Sequence, residues 1–114
     1  MVKRGQIWIV DFNPGFGREI HKKRPALIIS IDLLNANLPT VVVIPLSSQI
    51  KTFAPEKVFL PKKSIRLDKD SMILPHLIRA VDKERLIEKV GRISQEKMLE
   101  VEESLKLVLG MIEI

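Results

Sequence analysis

The sequence predicts an α+β, mainly β fold: a small, strongly curved sheet or barrel packed against one C-terminal helix. Three observations carry this. Residues 6–12 (QIWIVDF) alternate in period two, placing Ile7 and Ile9 on one side and Trp8 and Val10 on the other. Residues 25–31 (PALIISI) and 40–46 (TVVVIPL) are near-continuous apolar runs, the pattern of strands buried on both faces. From residue 95 to 109, apolar residues recur every three or four positions, which is a helical stripe.

The elements follow in order. Asn13-Pro14-Gly15 ends the first strand, and the polar, basic segment 15–23 is expected to be a mobile surface loop. After the 25–31 strand, Asp32 is expected to cap a short helical turn through residues 33–36, which Pro39 ends. The 40–46 strand emerges at Ser47-Ser48-Gln49. Residues 57–60 form a weaker strand candidate between Pro55 and Pro61. Strand pieces 71–74 and 77–81 flank Pro75, expected at an edge or bend. One helical turn over 83–86 and a last strand over 88–93 precede Ser94, a good N-cap, with Glu96 suited to the positive end of the helix dipole. Met98, Val101, Leu105, Val108 and Ile112 share one helical face, expected to be core, and Gly110 is the expected terminator. No repeat, linker or low-complexity tract divides the 114 residues, so a single domain over 1–114 is expected.

Composition narrows the function. The net charge is +5, which suits phosphate backbones, anionic membranes, acidic proteins or simply a solvated surface. With no cysteine, disulfides, thiolate metal sites and Cys nucleophiles are excluded. There is no HExxH, Walker A loop, GxGxxG or GxSxG motif. No run approaches the roughly 20 apolar residues of a membrane helix, and no signal segment is visible, so a cytoplasmic protein is expected. The high aliphatic content suggests that a second copy or a partner buries some apolar surface.

Cutting RNA without a metal needs a proton acceptor, a donor to the leaving 5′-oxygen and positive charge on the phosphorane oxygens. Arg24 stands between a polar loop and a buried strand, where its planar, permanently charged fork would emerge at the sheet rim. From position alone, a solvated arginine among Arg18, Lys22 and Lys23 is the stronger reading. Ser47, at the end of its strand, offers a hydroxyl donor, with Gln49 two residues on along the same face. Position alone again favours an ordinary turn serine.

At these residues the chain resembles a known family. RGQIWIVDFNPGFGREIHKKRPALII looks like the opening of MazF/PemK toxins, with their RP-hydrophobic strand. VVVIPLSSQI is similar to their next strand, which usually ends in Thr. LDKDSMILPHLIRAVDKERL matches their hydrophobic-Arg-hydrophobic-Asp element, and SQEKMLEVEESLKLVLGMIEI is similar to their final helix. The resemblance implies an SH3-like barrel of the CcdB/MazF type, forming a homodimer. It implies a ribosome-independent endoribonuclease (an mRNA interferase) that cuts single-stranded RNA at short sequences, without metal or cofactor. The implied products carry 2′,3′-cyclic phosphate and 5′-hydroxyl ends, and an acidic, MazE-like antitoxin blocks the groove. Arg24 falls on the family's catalytic Arg and Ser47 on its catalytic Thr; serine keeps the hydroxyl but loses the methyl that restricts χ1.

Two further departures stand out. Arg18 occupies a loop position that is Ser or His in relatives, followed by the family-like Glu19. His76 stands where relatives often carry an acidic residue; it would titrate near neutrality and share acid–base work, unless it is a plain surface His beside Pro75. The implied groove is lined by residues 18–24 and 47–49, with Lys3, Arg4, Lys22, Lys23 and Lys51 as an electrostatic funnel. Asn13, Glu19 and Gln49 are the expected base readers. Phe16 is the aromatic expected to touch a base, Trp8 being core. Two alternatives remain open: a CcdB-like gyrase poison of the same fold, and a weakly active RNA-binding relative.

Overall fold

Residues 1–50 and 54–113 are described by the computed structural model. Along the chain they form β1 (Gln6–Asp11), β2 (Lys23–Ile28), α1 (Asp32–Asn37), β3 (Thr40–Ser47), β4 (Val58–Leu60), β5 (Ser71–Ile73), β6 (Arg79–Asp82), β7 (Leu86–Arg92) and α2 (Gln95–Val108). The strands make one curled antiparallel sheet in the order β4-β5-β3-β2-β1-β7. β6 pairs with β3 in front of β5, so β3 is flanked along its length by β2 on one side and by β6 then β5 on the other.

Alternation along the strands builds two apolar layers, one on each face of the sheet. Ile7, Leu27, Ile44, Leu46 and Ile73 face α2 and pack with its Met98 and Val101. The intervening residues Val10, Ala26, Ile28, Val41, Val43 and Val81 face the other way and pack with Phe12. This is why the β2 and β3 sequences read as continuous apolar runs: both faces are covered. Each such aliphatic side chain stabilises the fold by about 1.5–3 kcal/mol relative to exposure. Trp8 belongs to the rim of the second layer, only partly buried, with its indole N–H donating to Gln6 Oε1 at 2.9 Å.

The helix ends follow the sequence signals. Ser94 Oγ accepts from the Lys97 N–H at 3.1 Å, satisfying an orphan donor of the first turn. At the other end Gly110 takes φ +72°, and the Gly110 and Met111 N–H groups donate back to Leu107 and Lys106. That is the Schellman arrangement, which a residue with a Cβ adopts only under strain. Of the predicted stripe, Met98 and Val101 are buried and Leu105 packs on the core, whereas Ile112 lies past the helix and is exposed. Ser104 is buried on this side instead, donating to the Pro55 carbonyl at 2.9 Å.

Two local expectations need correction. Asp32 is the first residue of α1 and not its cap; Ile31 holds that position without a side-chain bond. The Asp32 carboxylate is drawn away to the Arg4 N–H at 2.7 Å. The strand expected over residues 77–81 starts only at Arg79, because Pro75–Leu77 closes a 3₁₀ turn. Pro75 lacks the N–H that a ladder needs, so the chain bulges there between its two pairings with β3. Among the described residues, no helix is long and apolar enough to cross a membrane.

Candidate functional site

The site lies where β2 begins and β3 ends. The two strands are paired at Ala26↔Pro45, Leu27↔Ile44 and Ile28↔Val43. That pairing ends at Ala26↔Pro45, with Arg24 two residues before it on β2 and Ser47 two residues after it on β3, where Ser47 pairs with Met72 of β5. The strands part before this point, so a cleft of about 450 Å³ opens between them. One wall is Lys22, Lys23, Arg24 and Pro25; the other is Leu67, Asp68 and Lys69; Ile9 and Leu46 form the floor, and Ser48 and Ser71 add hydroxyls. Four cations thus face one carboxylate, and none of the five forms an ion pair among the described residues.

The Arg24 guanidinium is half-buried, and its Nε donates to the His21 carbonyl at 3.0 Å. One donor fixes the fork while its terminal N–H groups remain available, the condition for bidentate binding of a phosphate. Ser47 is partly buried; its Oγ accepts from the Gln49 N–H at 3.2 Å, closing the turn that ends β3. Its own O–H proton is left to donate. Ser48, within the 47–49 segment expected along the groove but given no role of its own, is the serine that lines the cleft directly. Gln49 is exposed just beyond.

The loop between β1 and β2 is tied at its neck. The Phe12 N–H donates to Lys22 O and the Lys22 N–H to Asn13 Oδ1, both at 2.9 Å. Arg85 donates to the carbonyls of Asp11 and Asn13. Asn13 therefore holds the loop's base and is not turned to a substrate. At the tip, the Phe16 N–H donates to Glu19 Oε1 at 2.8 Å and the Glu19 N–H returns a bond to Phe16 O at 3.1 Å. Glu19 is thereby a loop brace, and Phe16 projects from it 84% exposed. Gly15 allows the close return: a Cβ there would stand 2.5 Å from His21 Cβ. Arg18 is exposed at the tip.

Other expected residues are not gathered at the cleft. Arg4 is a correction: its Nε donates to Ile29 O at 3.0 Å and its Nη2 pairs with Glu102 at 2.7 Å, at the end of β2 remote from Arg24. It clamps the sheet to α2. His76 is exposed in the 3₁₀ turn after β5, past Leu74, whose N–H pairs with Pro45 O. It lines no part of the cleft. Lys3 precedes Gln6, its N–H donating to Gln6 Oε1, at the same remote end as Arg4. Lys51 lies outside the described residues.

Sequence reasoning missed Asp68 and Lys69. Residues 66–70 (RLDKD) carry balanced charge with no periodicity, so only the pairing of β5 with β3 reveals that they face Arg24. Arg79, the arginine of the hydrophobic-Arg-hydrophobic-Asp element, has its guanidinium 5.5 Å from the centre of the buried Phe12 ring.

Comparisons with known proteins agree with this architecture. MazF from Deinococcus radiodurans superposes with a TM-score of 0.84 at 27% identity, covering 96% of this chain and 97% of that one. A MazE–MazF complex from the same organism gives 0.78 at 26% identity, with 97% of each chain covered. A mycobacterial endoribonuclease in complex with its cognate antitoxin gives 0.83 at 22% identity over 100% of both chains. Residues 3–109 match the family described as PemK-like, MazF-like toxin of type II toxin-antitoxin systems. The curled sheet, its C-terminal helix and this match over almost the whole chain agree: the protein belongs to the MazF/PemK toxin family.

Proposed function

We propose that this toxin is an endoribonuclease that cuts single-stranded RNA without a metal or cofactor. The observation that supports the reading is the lining of one cationic cleft by Arg24 and Ser48, with Ser47 the residue before Ser48 at the end of β3. In the proposed reaction the 2′-oxygen forms a bond to phosphorus as the P–O5′ bond breaks. The 2′-hydroxyl gives its proton to solvent water, the 5′-oxygen takes one from solvent water, and the ends are a 2′,3′-cyclic phosphate and a 5′-hydroxyl. Arg24 neutralises the phosphorane oxygens and takes part in proton transfer, and the Ser47 hydroxyl donates to the same centre. Lys22, Lys23 and Lys69 hold the flanking phosphates, and Phe16 and Arg18 meet RNA from the loop tip.

The relatives' complexes with antitoxins support an acidic, MazE-like antitoxin as the partner that blocks this groove. The exposed apolar side chains Leu99, Leu109 and Met111 support burial against a second copy, as a homodimer.

Incubating a mixed-sequence RNA with wild type and Arg24→Ala, in the presence of a chelator, tests the reading. Wild type is expected to cut and to leave 5′-hydroxyl ends, with Arg24→Ala slower by about a hundredfold or more, as for loss of one transition-state stabiliser. Unchanged cleavage by Arg24→Ala removes that residue from the mechanism. Trapping of DNA gyrase without RNA cleavage makes the chain a gyrase poison; binding without cleavage makes it an RNA-binding relative.

A further inference from the structure

We infer that the cleft beside Arg24 is a nucleobase pocket in which Asp68 selects a base with an amino-bearing edge, guanine above all; this rests on the ribonuclease reading. The less exposed lining is largely apolar, Ile9, Leu46, Pro25 and Leu67, whereas Lys22, Lys23, Lys69 and Ser48 are exposed. A phosphate alone has no use for such a lining. A flat base with its phosphate matches both parts, ring on the aliphatic surface and charge at the exposed cations.

Asp68 is the telling residue. A carboxylate beside Lys22, Lys23, Arg24 and Lys69 repels the phosphodiester those cations attract. It does not offset this by pairing with them, since Asp68 makes no hydrogen bond or ion pair among the described residues. Its backbone is nonetheless held. Leu67 packs on the core with its N–H bonded to Ile65 O at 2.9 Å, the Asp70 carboxylate accepts from the Lys62 N–H at 2.9 Å, and Ser71 enters β5. An exposed, acceptor-only group on a held backbone at the edge of such a cleft reads donors. Guanine offers two parallel ones, N1–H and N2–H, to the two carboxylate oxygens. Adenine and cytosine offer one amino group each. Uracil offers only an N3–H between two carbonyl oxygens, which a carboxylate repels.

The test maps cut sites in a randomised RNA for wild type, Asp68→Asn and Asp68→Ala, with thermal unfolding run alongside to show that the variants fold. Wild type is expected to favour guanine and disfavour uracil at one position flanking the cut. Both variants are expected to lose that discrimination by about ten- to a hundredfold, the range for one bidentate base contact, with preferences elsewhere intact. A variant profile identical to wild type, or one relaxed equally at all positions, overturns the inference. If wild type does not cut RNA, the ribonuclease reading fails, and the pocket is judged by binding of short oligonucleotides differing in one base: no Asp68-dependent preference for guanine overturns it too.

Discussion

Lys69 gives the sharpest quantitative test of the cleft, because nothing in the linear sequence joins it to Arg24. Four cations, Lys22, Lys23, Arg24 and Lys69, line the cleft. If each neutralises one phosphate of a single strand, counterion release gives a slope of log K against log salt of about −2.8, and of about −2.1 for Lys69→Ala. Raising salt from about 50 to about 200 mM should then weaken wild type about fiftyfold and the variant only about twentyfold. Fluorescence anisotropy with a short 2′-O-methyl RNA measures this directly, since such an oligonucleotide lacks the attacking hydroxyl. Lys69 is exposed between Asp68 and Asp70, so its truncation should leave the unfolding midpoint unmoved. An unchanged slope would refute the reasoning, for it would mean that the backbone follows another path and that the wall formed by residues 67–69 does not face the substrate.

Four further outcomes are expected. Arg4→Ala should destabilise the fold by about 1 kcal/mol in urea unfolding, by loss of a partly exposed ion pair and one hydrogen bond, with RNA affinity unchanged. Leu27→Ala, which empties a fully buried position between sheet and helix, should cost about 2–5 kcal/mol by the same measurement. Gly15→Ala should slow RNA cleavage about tenfold or more, roughly the effect of 1–3 kcal/mol of overpacking against His21 at the loop, and should speed amide exchange over residues 13–22. The Arg4 N–H, and more weakly Asn35, Lys3 and Arg92, hold the Asp32 carboxyl below its ordinary value of 3.8, against a smaller opposing effect of desolvation. Because the folded value is depressed, the stabilisation is present above the ordinary value and is lost as pH falls through the folded one. Asp32→Asn should therefore flatten the acid limb of the stability profile below about pH 4 and leave the neutral plateau's shape alone.

Much of the fold was legible because its causes are local. Two-sided burial makes β2 and β3 continuous apolar runs, and Ser94 and Gly110 bracket α2 by bonds within one turn. Asp32 was misjudged for the opposite reason: its partner, the Arg4 N–H, is 28 residues away. The site divides in the same manner. Arg24 and the end of β3 stood out at the edges of strands, but position alone favoured a solvated arginine and a turn serine, and only the family resemblance gave them roles. Asp68 and Lys69 could not be found, because their grouping depends on β5 lying beside β3 and not on any spacing. Arg4 was assigned to the RNA funnel on charge alone, and a charge count cannot see Glu102 across 98 residues of chain.

The clasp of Arg85 on the carbonyls of Asp11 and Asn13, with the rung between Phe12 and Lys22, has a consequence for how such a protein diversifies. It mechanically isolates the projecting finger from the load-carrying sheet beneath. Changes at the exposed tip, residues 16–19, are thereby kept from the barrel, whereas His21, whose carbonyl holds the Arg24 guanidinium and whose side chain packs on Gly15, belongs to the part that must stay.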